Sequence, residues 1–383
     1  MKFKKAQLYL NNFFWLFLTC LLTPYFYFRI FLRRKKKREQ LKILIIYTAK
    51  IGDLVCATPV FREIKKKFPS SYLTALVVSH TKDILKNNPR INEVMLITDY
   101  AGIGGKLRLL SKLRKEKYDW AFNLLPGSFN NIIPFWSCVP HRVVTTHKRS
   151  GEIIGLLSLS NNYRLEYKNY TSVVKHYLNL LKFIGIKETS EEKEIFIQPG
   201  EERKTLDFLE QNNLSINDIL IGISVVPGNK FKQWDQEKYA NLADQLVKKL
   251  NAKVIFTGTA NDRIHIENVQ KMMQNDSINS SGYFKLHELP AFFKKLKLFI
   301  SVDSGSVYLA DAVGTPVIDI GGFYDIREQA PSGSKSKVLQ KFPVSCPFLA
   351  PITPACEKEC LKHLGEITSE EVFEAAIALI GTN

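Results

Sequence analysis

From residue 6 to residue 28 the chain carries no charge (AQLYLNNFFWLFLTCLLTPYFYF), and a block of cations follows at residues 33–38 (RRKKKR). At Leu41 the texture changes. Residues 41–47 (LKILIIY) form a near-continuous apolar run, as in a parallel strand covered on both faces. The run ends in Thr48-Ala49-Lys50-Ile51-Gly52-Asp53, and a helix is expected next, with Phe61, Ile64 and Phe68 on one face. Strands are expected at 72–78, 93–97 and 120–124, and helices near 82–86 and across 105–117. Strands alternating with helices predict an α/β, doubly wound parallel sheet. Gly102-Ile103-Gly104-Gly105 is not a dinucleotide fingerprint, because it follows Asp99-Tyr100 in a loop and lacks the strand before it.

The middle of the chain is less periodic. Residues 141–164 are basic and polar (His141, Arg142, His147, Lys148, Arg149, Arg164), which fits either a solvated loop or a contact surface for an anionic acceptor. A helix is expected at 172–184, a structure-poor stretch at 187–194, one more strand at 195–197 and a domain boundary within 199–218.

The second half repeats the alternation. A strand at 219–225 leads to Pro227-Gly228-Asn229-Lys230-Phe231-Lys232-Gln233-Trp234, and a helix at 235–250 shows Tyr239, Leu242, Ala243, Leu246 and Leu250 on one stripe. A strand at 253–256 ends in Gly258-Thr259-Ala260-Asn261-Asp262. After a helix, a weak strand and a helix at 287–295, a strand at 298–302 runs into Asp303-Ser304-Gly305. A short helix stops at Gly314-Thr315-Pro316, and a strand at 317–320 ends in Gly321-Gly322. A small-residue turn at the end of a strand presents backbone N–H groups and a helix N-terminus, which suits a phosphate or pyrophosphate. Asp-Ser is equally a good helix cap. Thr368 with Glu371 makes a capping box for a closing helix over 368–381. Three parts result: an anchor segment (1–40), an N-terminal Rossmann-like domain (41–200) and a C-terminal one (201–383).

Charge sharpens the picture. The net charge is +17, and ten Lys or Arg against Glu39 in residues 1–40 account for +9 of it, leaving +8 on the body. A basic body favours an anionic partner. No nucleic-acid recognition motif stands out, so nucleic acid is not the expected partner. The 23 uncharged residues are enough to cross about 30 Å of hydrocarbon as a helix. Seven cations after the segment outweigh three before it, which leaves the body in the cytoplasm. Asn11, Asn12 and Pro24 interrupt the run, so an anchor lying in the interface is the alternative. Either way residues 6–38 are expected to meet a membrane. Of six cysteines, Cys20 lies in the apolar segment and Cys56 and Cys138 are isolated. Cys346, Cys356, Cys360 and His363 cluster late, in a spacing that fits no standard zinc knuckle and predicts a loop packed on thiols.

Three stretches together carry a resemblance. YTAKIGDLVCATPVFREIKKKFP is similar to the "R-x-G-D-x-x-x-T-x-P" opening of glycosyltransferase family 9, the ADP-heptose:lipopolysaccharide heptosyltransferases. PGNKFKQWDQEKYANLADQL is similar to that family's "P-G-…-K-x-W-…-F-A-x-L", and VDSGSVYLADAVGTPVIDIGG to its "D-[ST]-G-x-x-H-L-A-x-A-x-G-T-P" with a Gly-rich turn. The resemblance spans residues 41–380. Two departures are visible: the third motif's His is Tyr308, and the usual Phe-Gly-Pro-Thr reads Gly321-Gly322-Phe323-Tyr324.

The resemblance implies a GT-B fold, two Rossmann-like domains whose sheets face one cleft, with acceptor on the first and nucleotide-sugar donor on the second. Inverting transfer needs a base for the acceptor hydroxyl, stabilisation of the leaving diphosphate, and both substrates held in line. Asp53 matches the family's catalytic Asp, with helix capping as its bland role. Lys232 matches the Lys at the diphosphate. Ser304 and Gly305 would offer N–H groups, and Gly228 and Asn229 would line the opposite loop. Asp262 would meet a ribose hydroxyl, and Asp303, Tyr308 and Gly322 would lie near the donor's phosphates and sugar. Gly52, Thr58 and Arg142 fall to the acceptor. No Asp-x-Asp metal pair appears, so metal-independent transfer is expected. No cofactor is expected beyond the co-substrate, ADP-heptose by family name. The implied acceptor is a lipid-linked anionic glycan such as the lipopolysaccharide core, at the cytoplasmic face of the inner membrane. The rivals are an epimerase-like sugar-nucleotide enzyme on the same fold and a catalytically impaired nucleotide-sugar-binding protein.

Overall fold

In the computed structural model, the uncharged N-terminal segment lies within one helix, α1 (Lys2–Arg34). The structure describes residues 2–34, 40–148, 151–322, 324–333, 335–341, 347–349 and 352–381. The chain divides into two units, Met1–Lys50 with Ala57–Glu191, and Ile51–Cys56 with Glu192–Asn383.

In the first unit α1 leads to β1 (Lys42–Ile46), α2 (Ile51–Lys67), β2 (Tyr72–Val77), β3 (Glu93–Leu96), α3 (Gly102–Glu116) and β4 (Trp120–Asn123). Then come α4 (Ser128–Trp136), β5 (His141–Thr146), α5 (Glu152–Ser158), β6 (Tyr163–Glu166) and α6 (Val173–Asn179). Its sheet has the order β3-β2-β1-β4-β5-β6, parallel throughout. The uninterrupted apolar pattern of β1 follows, because helices cover both faces of such a sheet.

The stretch 141–164 is therefore not a solvated loop. It holds β5, α5 and β6, the basic residues at their ends masking short strands. Arg142 corrects the expectation of an acceptor contact: it is buried, and its guanidinium donates to the carbonyls of Val139 at 2.7 Å, Pro140 at 3.2 Å and Ser160 at 2.9 Å. A buried guanidinium must satisfy its donors internally, and these carbonyls do so.

α1 belongs to this unit's core. Trp15 is fully buried against Phe129 and Trp136, at ring distances of 5.1 and 5.4 Å. Phe26 packs on Phe135 and Trp136. The Trp136 indole N–H donates to Thr19 Oγ1 at 2.9 Å. The Arg33 guanidinium donates to the carbonyls of Cys138 at 2.6 Å and Tyr118 at 3.0 Å.

The second unit holds α7 (Pro199–Gln211), β7 (Leu220–Ser224), α8 (Gln236–Leu250), β8 (Lys253–Phe256), α9 (Arg263–Met272), β9 (Ile278–Asn279) and α10 (Leu289–Phe293). It continues through β10 (Leu298–Val302), α11 (Gly305–Ala312), β11 (Val317–Ile320), β12 (Ser336–Leu339), α12 (Pro354–Glu366) and α13 (Ser369–Ile380). The order β12-β11-β10-β7-β8-β9 is the first unit's order again, counted from β7. Trp234 anchors the core, its ring edge-on to Tyr239 at 4.7 Å and its N–H on the Ile367 carbonyl.

Three expectations fail here. Residues 195–197 form no strand. β12 is an added edge strand, half-exposed and too short to show a period. The late cysteines do not sit in a loop: Cys356 and Cys360 lie one turn apart on α12, capped by Thr353, with Cys360 buried. Cys346 lies outside the described residues.

Because Trp15 fills a closed space among rings, Trp15→Ala is expected to destabilise the first unit by about 3–5 kcal/mol. A urea titration of the full chain, read by hydrogen exchange of the β1 amides, measures it. An unchanged midpoint would mean that α1 is an appendage.

Candidate functional site

In each sheet the strand order reverses once, between β1 and β4 and between β7 and β10. Ligands of such sheets bind at that reversal, beyond the carboxyl ends of the strands. In the second unit the loop after β7 makes a tight turn over Lys230–Lys232, and β10 runs straight into Asp303. The Lys232 ammonium donates to Asp303 Oδ2, with both side chains largely buried. Burial by itself would lower the Lys232 pKa. The touching Asp303 carboxylate outweighs that and raises it, so the amine stays charged. The ammonium also lies 5.8 Å from the Tyr324 ring centroid, within cation–π range.

Beside this pair sits Asp319 of β11, fully buried. Its Oδ2 accepts from the Tyr324 hydroxyl, and its Oδ1 has no partner among the described residues. Burial, with the Asp303 charge added, pushes the Asp319 carboxyl well above the usual carboxylate range, against the opposing pull of the Tyr324 hydroxyl and Lys232. Both causes oppose a second negative charge beneath the ion pair.

Tyr308 extends the network. Its hydroxyl donates to Asp303 Oδ1 at 3.3 Å and reaches the Gln329 carbonyl at 3.5 Å. Burial raises its pKa, which keeps it a neutral phenol. Its ring covers Gly52, where a Cβ would come within 2.5 Å of Tyr308 Cδ2. Only glycine fits there. Likewise a Cβ on Gly305 would press on the Ile51 side chain at 2.8 Å.

Asp53, grouped with this unit, lies inside the first turn of α2 and is not a loop residue or N-cap. Its Oδ1 accepts from Gln329 Nε2 at 2.8 Å. A path of polar contacts thus runs from Asp53 through Gln329 and Tyr308 to Asp303 and Lys232. The first turn of a helix favours a negative side chain. Gln329 was not foreseen: it lies in the loop after β11, in no motif.

Ser304 precedes α11 without capping it by its side chain. Its hydroxyl pairs with Ser306 Oγ at 2.7 Å and Ser301 Oγ at 3.1 Å. The Val307 N–H meets the Ser304 carbonyl at 3.2 Å, and a helix N-terminus is where anions are favoured. Gly228 has open space at its Cα, and the Asn229 carbonyl holds the Lys232 N–H at 3.0 Å. The Gly322 carbonyl accepts from Gln340 Nε2, and a Cβ there would press on Cys360 Sγ at 3.0 Å. Asp262 caps its own turn, its Oδ2 accepting from Thr259 N and Oγ1. Thr58 is fully buried in α2. Among the described residues no group of three or more His, Cys, Asp or Glu is placed to hold a metal ion.

A family model described as glycosyltransferase family 9 (heptosyltransferase) matches residues 106–346. The chain is 25% identical over 319 residues to lipopolysaccharide heptosyltransferase 2 of Escherichia coli, covering 78% of this chain and 88% of that protein. Its fold is similar to a family 9 glycosyl transferase from Veillonella parvula, with TM-score 0.78 and 21% identity over 91% of this chain and 99% of the other. It is also similar to the solved Escherichia coli ADP-heptose lipopolysaccharide heptosyltransferase II, with TM-score 0.70 and 22% identity over 89% and 99% of the two chains.

The buried acid has a signature in stability. Its folded pKa lies above its ordinary value of 3.8. The unfolded chain therefore sheds this proton first, and Asp319 costs stability as pH rises from about 4 towards the raised value. Asp319→Asn removes that cost. Urea midpoints are expected to favour the variant increasingly as pH rises from 4.5 to 8, and a constant difference across that range would refute the raised Asp319 pKa.

Proposed function

The chain belongs to glycosyltransferase family 9, and on that premise we propose that it moves a heptose from ADP-heptose to a lipid-linked anionic glycan of the lipopolysaccharide-core kind, at the cytoplasmic face of the membrane. The named relatives support the donor and acceptor classes. The observation that carries the reading is the contact path joining Asp53 to Lys232 at the strand-order reversal of the second unit.

The acceptor hydroxyl attacks the anomeric carbon from the face opposite the diphosphate. A bond forms from that carbon to the acceptor oxygen, and the bond to the β-phosphate oxygen breaks. The acceptor proton passes to Asp53, and ADP leaves with the bonding pair, so the configuration inverts. Gln329 orients the Asp53 carboxylate through a neutral donor that adds no charge to the site. Gln329 is a positioning residue. Lys232 meets the charge that grows on the leaving diphosphate, together with the N–H groups at Ser304 and Gly305. Asp303 holds the ammonium charged and aimed before the donor arrives. Gly228 and Asn229 line the loop opposite, the remaining oxygen of Asp262 takes the ribose, and Tyr308 and Gly322 border the sugar. Lys232 supplies the positive charge that a divalent cation supplies in other transferases, which makes the transfer metal-independent.

With the full-length protein, Asp53→Asn is expected to lower kcat by about 10²–10⁴ while ADP-heptose still binds. Lys232→Ala is expected to weaken ADP binding, and EDTA to leave the rate unchanged. Transfer from UDP- or GDP-sugars in preference to ADP-heptose would discard the heptose donor. Failure to bind any of these nucleotides would discard the transferase reading.

A further inference from the structure

α1 has two apolar faces. The inner one carries Asn12, Trp15, Thr19, Phe26, Ile30 and Arg33, all engaged with the first unit. The outer one carries Leu10, Phe13, Phe17, Leu21, Phe28 and Phe31, each between 56% and 70% exposed. Both stripes recur every three, four or seven residues, as opposite sides of one helix do.

The inner contacts rule on the helix's orientation. They run from Asn12 to Arg33, which at 1.5 Å per residue is about 32 Å, the full depth of a hydrocarbon core. A helix crossing a bilayer meets lipid, or other membrane-buried protein, along that whole length. Here the same length is occupied by the first unit's α/β core, with cations of α3 beside it. Lys106 of α3 lies 5.9 Å from the Trp15 ring, and Arg114 of α3 lies 5.4 Å from the Phe26 ring and donates to the Trp136 carbonyl. A crossing would drag these cations into hydrocarbon or tear the inner face off its partners.

We infer that α1 lies parallel to the membrane surface, its inner face in the first unit and its outer face sunk among the acyl chains of one leaflet. The occupant is the surface of a bilayer rich in anionic lipid. The charge argues for it: Lys2, Lys4 and Lys5 stand before the apolar stretch, and Arg29 and residues 33–38 at its far end, against Glu39 alone. An in-plane helix puts cations at both of its ends at the level of the headgroups, where anionic lipid attracts them. α5, which packs on α1, also exposes Leu156, as does Leu159 just after its end. This attachment is independent of the sugar and the nucleotide.

The test uses the full chain and phosphatidylglycerol-containing vesicles. Wild type is expected to float with these vesicles, and at least about tenfold more weakly with purely zwitterionic ones. Phe13→Asp with Phe17→Asp, both on the exposed face, is expected to weaken flotation about a hundredfold, with the melting temperature and ADP binding unchanged. In intact spheroplasts expressing the chain, Lys2→Cys is expected to stay unlabelled by a membrane-impermeant maleimide. Labelling from outside would show a crossing helix and overturn the inference. So would a protein that ignores vesicles and forms a dimer that the double variant dissociates, since the face would then belong to a second copy. Loss of nucleotide binding in wild type would sink the transferase reading and leave this one standing.

Discussion

A buried ammonium is tolerable only with its carboxylate, and the ligand end of the second unit is arranged around that constraint. Lys232 comes from the loop after β7 and Asp303 from the end of β10, two strands that are neighbours only because the order reverses there. The shared charge has consequences on each side. Asp319, one strand over, has its carboxyl pushed above the usual carboxylate range by burial and by the Asp303 charge. Tyr308 spends its hydroxyl on the other Asp303 oxygen, which fixes its ring, and the ring leaves room at residue 52 for glycine alone. Removing one partner of such a pair strands the other, so the cluster stands or falls together.

The first unit solves a different problem. Its helices α4 and α5 would present Phe135, Trp136 and Leu157 to water if α1 were elsewhere. The N-terminal helix closes that surface and turns a second apolar face outward. The segment therefore works as a core element on one side while its other side stays apolar and exposed.

The parts legible in the sequence are those whose pattern is set by complete burial. β1, β7 and β10 read clearly because central parallel strands are apolar on both faces. The turn at residues 303–305 was placed correctly, at the end of β10 and the start of α11. Peripheral elements did not read: β5 and β6 hid behind terminal His, Arg and Tyr, and α12 behind a run of Pro, Cys and Lys. Arg142 looked like a surface cation because nothing local reveals the three carbonyls that enclose it. In the site, Asp53 and Lys232 were found singly. Their connection was not, since it runs through Gln329, a residue 276 positions from Asp53 with no motif around it. The packing of α1 on the first unit was likewise hidden in composition, because its contacts come from residues beyond position 100.

That last separation has a temporal side. Thr19 and Trp136 are 117 residues apart in the chain. At about 5–20 residues per second, the ribosome needs roughly 6–23 s after making the first to make the second. During that interval the helix has emerged with both apolar faces bare and no partner for either. Lipid or a chaperone is available to it before its own domain is. The order of synthesis therefore exposes the helix first, and the rest of the unit folds down onto its inner face afterwards.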